Sequence, residues 1–139
     1  MTNADNASQA GHHARVRRQH NRELAEDYVE AIHVRLQQGL PVRVMDLQNL
    51  FGVSHVTVIR ALQRFEKRGF LTRDEEEGIQ LTDLGCSVAV ESATRHALVV
   101  DFLKFIGVSS KQAEADAEGI EHHLSKETLK AMRALLDSV

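Results

Sequence analysis

Cysteine is nearly absent from this sequence: Cys86 is the only one among 139 residues. A single cysteine cannot form a disulfide within the chain, which fits a reducing cytosol. No stretch approaches the ~20 consecutive apolar residues that a membrane-spanning helix needs. The first residues, Met1 to Gly11, are polar and lack the apolar core of a secretion signal. We therefore expect a cytoplasmic protein without a membrane span.

The sequence also lacks the usual signs of catalysis. It has no evident nucleophile motif and no glycine-rich loop that would cradle the phosphates of a nucleotide. We expect neither enzymatic activity nor an organic cofactor. With 42% hydrophobic and 27% charged residues in 139, the chain suits one compact unit or two small ones.

The charges are distributed unevenly along the chain. Residues 1–73 contain 11 Lys and Arg against 7 Asp and Glu, whereas residues 74–139 contain 6 against 13. A basic half predicts a surface for a polyanion, and an acidic half predicts a surface for cations. Mutual attraction of the two halves explains the same asymmetry equally well.

The apolar periodicity predicts a mainly α-helical fold with one small β-hairpin. Residues 1–17 are polar and have no apolar period, so we interpret them as a flexible N-terminal arm. An amphipathic helix follows over about 18–38. Gly39 ends this helix, and Pro41 prevents its continuation.

The pattern over residues 18–83 indicates a winged helix-turn-helix. A short helix, Val44 to Phe51, and a longer one, about His55 to Arg68, are separated by the turn Gly52-Val53-Ser54. The inward-facing residues are predicted to be Val44, Leu47 and Leu50 on the first helix and Val58, Leu62 and Phe65 on the second. Two β-prone runs then predict a hairpin. The remainder, residues 84–139, is predicted to be helical, with a capping pattern over Ser109 to Gln112 that begins one of its helices.

The second helix of this motif carries outward-facing residues suited to double-stranded DNA. Its first turn can enter the major groove, where Val56 and the methyl group of Thr57 can pack on thymine methyls and Arg60 can reach a guanine edge. Its later cations suit phosphates. The predicted DNA-binding residues are His55, Val56, Thr57, Arg60, Arg64, Lys67 and Arg68. A helical hairpin with a solvated basic face, or a winged helix that binds proteins, is the alternative.

The tip of the predicted hairpin argues against a wing that touches DNA. It reads Asp74-Glu75-Glu76-Glu77, and four carboxylates are repelled by phosphate. Either the wing is held away from the duplex, or DNA affinity depends on the helix and the N-terminal arm.

A second constellation suits a metal ion. At about 100° per residue, Glu118, Glu121 and His122 fall on one face of a continuous helix, and His123 points away. Asp27 and Glu30 form another pair at i, i+3. His96, which begins an apolar run, can supply a further imidazole. Oxygen-rich sets with added nitrogen suit Mn(II) or Fe(II), although each of these groups alone is typical of an ordinary solvated surface.

Several motifs together resemble the manganese transport regulators of the diphtheria toxin repressor family, and the resemblance extends from about Arg22 to Leu136. The motifs that carry it are Glu26-Asp27-Tyr28-Val29-Glu30, Val44-Met45-Asp46-Leu47 with Gly52-Val53-Ser54, Leu81-Thr82-Asp83-Leu84-Gly85, Arg95-His96, and Asp116 to Ser125.

The resemblance implies a site for two Mn(II) ions held by Asp27, Glu30, His96, Glu118, Glu121 and His122. In iron-responsive members of the family, the position that resembles Asp27 holds a methionine, and the position that resembles Glu118 holds a cysteine. The two carboxylates here therefore imply manganese as corepressor. The resemblance also implies that residues 84–139 form a metal-binding and dimerisation domain, and that the homodimer binds a palindromic operator as a repressor of manganese uptake genes.

Other functions fit parts of the sequence. A regulator of the same fold that senses Fe(II), Zn(II) or Co(II) is one. A winged-helix interaction module with a structural metal is another. A carboxylate-bridged di-metal oxidase would need two Glu-x-x-His pairs, and we find one, Glu30-Ala31-Ile32-His33.

Overall fold

The computed structural model describes the backbone of residues 3–139 and the side chains of residues 8–18 and 20–139. Met1 and Thr2, at the start of the predicted N-terminal arm, lie outside the described residues. The prediction of a mainly α-helical chain with one hairpin is confirmed. The helices are α1 (Asn3–Gln37), α2 (Val44–Phe51), α3 (His55–Lys67), α4 (Asp83–Phe105), α5 (Ser110–Ile120) and α6 (Lys126–Asp137), with strands β1 (Leu71–Asp74) and β2 (Gly78–Leu81).

The chain divides into two compact units, Met1–Val88 and Ala89–Val139. The first contains α1, α2, α3 and the hairpin. The second contains most of α4 together with α5 and α6. None of the helices in the described part of the chain is long and apolar enough to cross a membrane.

Helix α1 begins at Asn3, about fifteen residues before the start that the apolar pattern predicts. Residues 3–17 contain four alanines, and alanine favours a helix without any apolar face. The described side chains of residues 8–22 are exposed, apart from a half-buried Ala14. The apolar period does not extend to this part of the helix because the described side chains there bury almost no surface. The predicted end is correct, since Gly39 adopts the left-handed conformation with φ of 75°.

The core of the first unit is formed where α1 packs against the helix-turn-helix. The Tyr28 ring stacks on Phe51 at 4.5 Å between centroids and meets the edge of Phe65 at 5.3 Å. Leu47 and Leu62 are fully buried, as predicted. The buried members of this core are Ala25, Tyr28, Ile32, Val42, Leu47, Val58, Ala61, Leu62, Phe65, Leu71 and Ile79.

One predicted core residue of α2 is wrong. Leu50 is 58% exposed, and its neighbour Phe51 packs against the core instead. The aromatic stack with Tyr28 explains this choice, because a flat ring fills the space beside Tyr28 that Leu50 would have to reach from the next position on the helix.

The turn between α2 and α3 lies at the predicted residues. Gly52 has φ of 63°, a left-handed conformation that costs glycine little. The hydroxyl of Ser54 then accepts a hydrogen bond from the backbone N–H of Thr57 at 3.2 Å, which satisfies a free donor in the first turn of α3. The turn therefore fixes where α3 begins.

The hairpin is held to the rest of the first unit by its backbone. Strands β1 and β2 are antiparallel, with Leu71 opposite Leu81, and the N–H of Ile79 donates to the carbonyl of Val42 at 3.1 Å. The guanidinium of Arg43 donates to the carbonyls of the tip residues Glu75 and Glu76 at 3.4 and 3.1 Å. These contacts fix the position of the wing within its unit.

The second unit has a small core of its own. Val99 and Val100 of α4 pack with Ala113 and Ala117 of α5, and half-buried side chains of Leu103, Val108, Leu124 and Leu129 surround them. The hydroxyl of Ser109 accepts a hydrogen bond from the N–H of Gln112 at 3.3 Å, as the capping pattern predicts. Helix α5 ends at Ile120, and a 3₁₀ turn follows over Glu121–His123.

Candidate metal centre and nucleic-acid interface

All seven predicted DNA-binding side chains lie exposed on α3 or immediately after it: His55, Val56, Thr57, Arg60, Arg64, Lys67 and Arg68. Val56, an apolar residue in the first turn, is 55% exposed. Helix α3 buries Val58, Leu62 and Phe65 on its opposite face. Its first turn and its cationic side chains therefore both face solvent. Their contact with DNA stays a prediction.

The acidic wing tip carries its charges outward. Asp74 Oδ1 accepts a hydrogen bond from the N–H of Glu76 at 2.7 Å, which shapes the turn. The side chains of Glu75, Glu76 and Glu77 are exposed. Arg43 contacts the tip through its carbonyls, so this contact leaves the three glutamates at the surface.

In the second unit, His96 of α4 lies between two carboxylates. Its Nδ1 is 2.6 Å from Glu121 Oε2, and its Nε2 is 2.8 Å from Glu114 Oε2. Glu118 Oε1 is 3.8 Å from the same Nδ1. Helix α5 supplies Glu114 and Glu118, and the 3₁₀ turn supplies Glu121, so the packing of α5 on α4 builds the cluster.

Burial and these carboxylates shift the pKa of His96 in opposite directions. Burial acts to lower the pKa of His96 and is the largest single cause. The hydrogen bond to Glu114, together with the charge and hydrogen bond of Glu121 and a smaller effect of Glu118, outweighs it, so the pKa of His96 is raised above its ordinary value. The ring therefore sits in a negative field that favours cations.

Glu121 is the most deeply buried acid of the cluster. Its side chain is 2% exposed, and that of His122, whose Nε2 is 3.5 Å from Glu121 Oε1, is 5% exposed. A buried carboxylate is stable only with hydrogen bonds and positive charge nearby. His96 supplies a hydrogen bond at 2.6 Å, and the His122 imidazole lies at the other oxygen.

The prediction of one continuous helix through Glu118, Glu121 and His122 is wrong. The change from α-helix to a 3₁₀ turn after Ile120 alters the angular spacing. Glu121 and His122 point inward and His123 is exposed, as expected, but Glu118 is 71% exposed. Glu118 is therefore the most solvent-accessible of the predicted ligands in this unit.

Asp27 and Glu30 belong to α1 of the first unit. Both are half-buried, and they flank the fully buried Tyr28 and Val29. The structure thus brings four of the six predicted ligands together in the second unit, and the participation of Asp27 and Glu30 stays a prediction.

The donor chemistry of the cluster fits a hard divalent cation. Carboxylate oxygens and imidazole nitrogens are the ligands that Mn(II) prefers, and they approach one another to 2.6–3.8 Å around His96. As they stand, these groups pair with each other: among the described residues, no three His, Cys, Asp or Glu side chains have the geometry to hold an ion. An ion bound here would replace some of these contacts within the cluster.

Glu114 is the one member of the cluster that the sequence analysis missed. It precedes Glu118 by four residues and so lies on the same face of α5. The sequence contains this spacing, but Glu114 lies outside the motif Glu118 to His123 from which the ligands were predicted. Its partner His96 is 18 residues away, and only the fold reveals the contact.

Comparison with known proteins identifies the family. Residues 82–139 match the model of the iron dependent repressor, metal binding and dimerisation domain. The transcriptional regulator MntR of Escherichia coli O6:H1 is 42% identical over 118 residues, which are 85% of this chain and 76% of that protein. The HTH-type transcriptional regulator MntR of Geobacillus kaustophilus is 35% identical over 100 residues, which are 72% of this chain and 71% of that protein.

Solved structures share the fold. The structure of the manganese regulator SloR matches with a TM-score of 0.71 at 19% identity, covering 81% of this chain and 53% of that one. The chain thus spans about half the length of that protein, and at this identity the likeness concerns the fold alone. The sequence matches and the shared fold agree: this chain belongs to the MntR transcriptional regulators of the diphtheria toxin repressor family, and it is a DNA-binding regulator rather than an enzyme.

Proposed function

We propose that this chain is a cytoplasmic repressor that binds its operator in response to Mn(II) and controls genes for manganese uptake. One observation carries the proposal. Glu121, at 2% exposure, lies with its two oxygens near the imidazoles of His96 and His122. A carboxylate buried in this way marks a site for positive charge.

The proposed ligands are those of the sequence analysis. They are Asp27, Glu30, His96, Glu118, Glu121 and His122, and we propose that they hold two ions. When bound, Mn(II) supplies the positive charge that allows several carboxylates to lie close together. The set contains no Cys or Met, the soft ligands that would favour other metals.

The first unit offers a physical route from the ligands to DNA. Asp27 and Glu30 flank Tyr28 on α1, and the Tyr28 ring contacts Phe65 of α3 at 5.3 Å. Because α1 and α3 share one close-packed core, the helix that carries two ligands and the helix that reads DNA move as one body. Ligands on α1 and in the second unit that share an ion would therefore fix the position of α3.

Dimerisation and a palindromic operator complete the proposal. Two recognition helices related by a two-fold axis read half-sites spaced by about 34 Å. The second unit exposes large apolar side chains that a second copy of the chain could cover, namely Val90, Phe105, Ile106 and Leu135. Apolar side chains of this size are typical of homodimer interfaces.

The test compares neighbouring imidazoles. We expect Glu118→Ala and His122→Ala each to abolish Mn(II)-dependent binding to the DNA upstream of the chain's own gene, measured by fluorescence anisotropy. His123→Ala is the matched control, because His123 adjoins His122 but is exposed, and it should bind as the unmodified protein does. Circular dichroism checks that each variant is folded.

Undiminished metal-dependent binding by Glu118→Ala and His122→Ala would falsify the ligand assignment. The same titration with Fe(II), Zn(II) and Co(II) examines the alternative metals. A stronger response to one of these ions than to Mn(II), at equal free concentration, would contradict the choice of manganese.

A further inference from the structure

The early part of α1 has no role in the core or in the metal centre. We propose that this basic projection, residues 8–22, binds backbone phosphates of the DNA that flanks each operator half-site. The inference rests on the DNA binding of the proposed function and adds a second contact surface to it.

The composition of the basic projection is suited to a polyanion. It contains four arginines, Arg15, Arg17, Arg18 and Arg22, and no aspartate or glutamate. The four guanidinium groups are exposed. A helix with charge of one sign on the surface attracts an extended partner of the opposite sign.

Two of these arginines point toward the side of α1 that faces α3. At about 100° per residue, Arg17 and Arg18 lie within about 80° of the direction of Tyr28, whereas Arg15 and Arg22 lie about 120–140° away from it. Tyr28 packs on Phe65 of α3. The Arg17 and Arg18 face of the projection therefore continues the face that packs on the recognition helix.

The projection leaves the core beside the cations of α3. Asn21 lines a shallow pocket of about 200 Å³ together with Arg64, Phe65, Lys67 and Arg68. Asn21 is one turn after Arg17, so the arginines of the projection extend the cationic end of α3. A phosphate strand that contacts Arg64 and Lys67 can continue along the projection.

The reach of the projection sets the scale of the contact. From residue 8 to residue 24, where the core begins, the helix extends about 24 Å at 1.5 Å per residue. This length equals about 7 base pairs of duplex. The wing tip carries exposed glutamates, which repel phosphate, so phosphate contacts are favoured at the arginines of the projection instead.

The experiment compares two variants with the same loss of charge on the same helix. Arg17→Gln with Arg18→Gln removes the arginines on the α3 side, and Arg15→Gln with Arg22→Gln removes those on the other side. Each protein is titrated at several salt concentrations, with saturating Mn(II), against operators with flanks of about 3 and about 10 base pairs, which are shorter and longer than the reach of the projection.

We expect the unmodified protein to bind the longer DNA more tightly. The Arg17 and Arg18 variant should lose this gain, and its slope of log affinity against log salt should fall by about 2 per protomer, at about 0.9 per lost phosphate contact. The Arg15 and Arg22 variant should keep most of the gain. Equal losses in both variants, or equal binding of both DNAs by the unmodified protein, would overturn the proposal.

Metal dependence separates this test from the test of the proposed function. Both variants should keep the ratio of affinities with and without Mn(II), because the substitutions lie outside the metal centre. If the unmodified protein bound DNA equally well with and without Mn(II), the proposed function would fail. The comparison of flank lengths would still decide the role of the projection. A variant that kept the gain on longer DNA but changed its association state would indicate an acidic protein surface as the partner, against our proposal.

Discussion

Replacing Glu114 tests how the metal centre is organised around His96. The Nδ1 atom of His96 faces Glu121 and Glu118, which are predicted ligands, whereas Nε2 faces Glu114 at 2.8 Å. A metal-binding histidine commonly donates its other N–H to a carboxylate, which fixes the tautomer and the ring orientation. We expect Glu114 to accept from Nε2–H and to leave the lone pair of Nδ1 for the ion.

The expected magnitude follows from the exposure of Glu114. Loss of such an outer partner costs about 10-fold to 100-fold in metal affinity. Because the Glu114 side chain is 61% exposed, water can replace part of its contact. Glu114→Gln should therefore weaken Mn(II) binding by about 10-fold, or about 1.4 kcal/mol, and Glu114→Ala somewhat more.

Isothermal titration of Mn(II) measures the effect, and Asp116→Asn is the matched control. Asp116 lies on the same helix and carries the same charge, but its carboxylate accepts a hydrogen bond from Gln112 at 2.6 Å and not from His96. We expect it to change Mn(II) affinity less than 3-fold, the scatter of exposed single charges. Equal losses of Mn(II) affinity for Glu114→Gln and Asp116→Asn would mean that Glu114 acts only through its charge. No loss for Glu114→Gln would refute its role in orienting His96.

Two further predictions concern stability and the wing. Gly85→Ala should lower the free energy of unfolding in urea by about 1–3 kcal/mol, because the new Cβ would lie 2.0 Å from the carbonyl oxygen of Phe70. Gly119→Ala, whose Cβ would meet no atom within 4 Å, should instead raise it by up to about 1 kcal/mol, and equal effects would contradict this contrast. Changing Glu75, Glu76 and Glu77 to Gln should tighten operator binding at low salt, and the gain should shrink at high salt because salt screens exposed charges. No gain at low salt would place the wing tip beyond a Debye length from the DNA.

The helix-turn-helix was the most predictable part of the fold. Its buried side chains recur at helical spacing, and Leu47, Val58 and Leu62 lie inside as expected. The exception, Leu50, shows the limit of this reasoning. Periodicity identifies a face of a helix, but the choice between adjacent residues depends on the shape of a partner, here the Tyr28 ring.

The first half of α1 was not predictable in the same way. Periodicity detects a helix through the face that it buries, and residues 8–22 bury almost nothing. Intrinsic propensity alone would have been needed, and it is a weak signal beside tertiary packing. The exposure that made this part of the helix hard to predict also leaves its side chains accessible to a partner.

The candidate metal centre was predictable in its residues but not in its arrangement. Carboxylates and imidazoles could be chosen from the motif around Glu118 and His122, with the family resemblance joining them to His96. The 3₁₀ turn over Glu121–His123 could not be read from spacing, because a continuous helix is the default expectation. Glu114 required the contact between α4 and α5.

The electrostatics of the first unit bear on how it can approach DNA. Cations occupy α3 and the basic projection, which meet at the pocket beside Asn21, whereas the wing tip presents Glu75, Glu76 and Glu77. A duplex is therefore attracted by α3 and the projection and repelled by the wing tip. Neutralising the projection and neutralising the wing should change operator affinity in opposite directions, and both changes should fade with salt. Opposite signs in that pair of measurements would mean that both the projection and the wing tip lie within electrostatic range of the bound DNA.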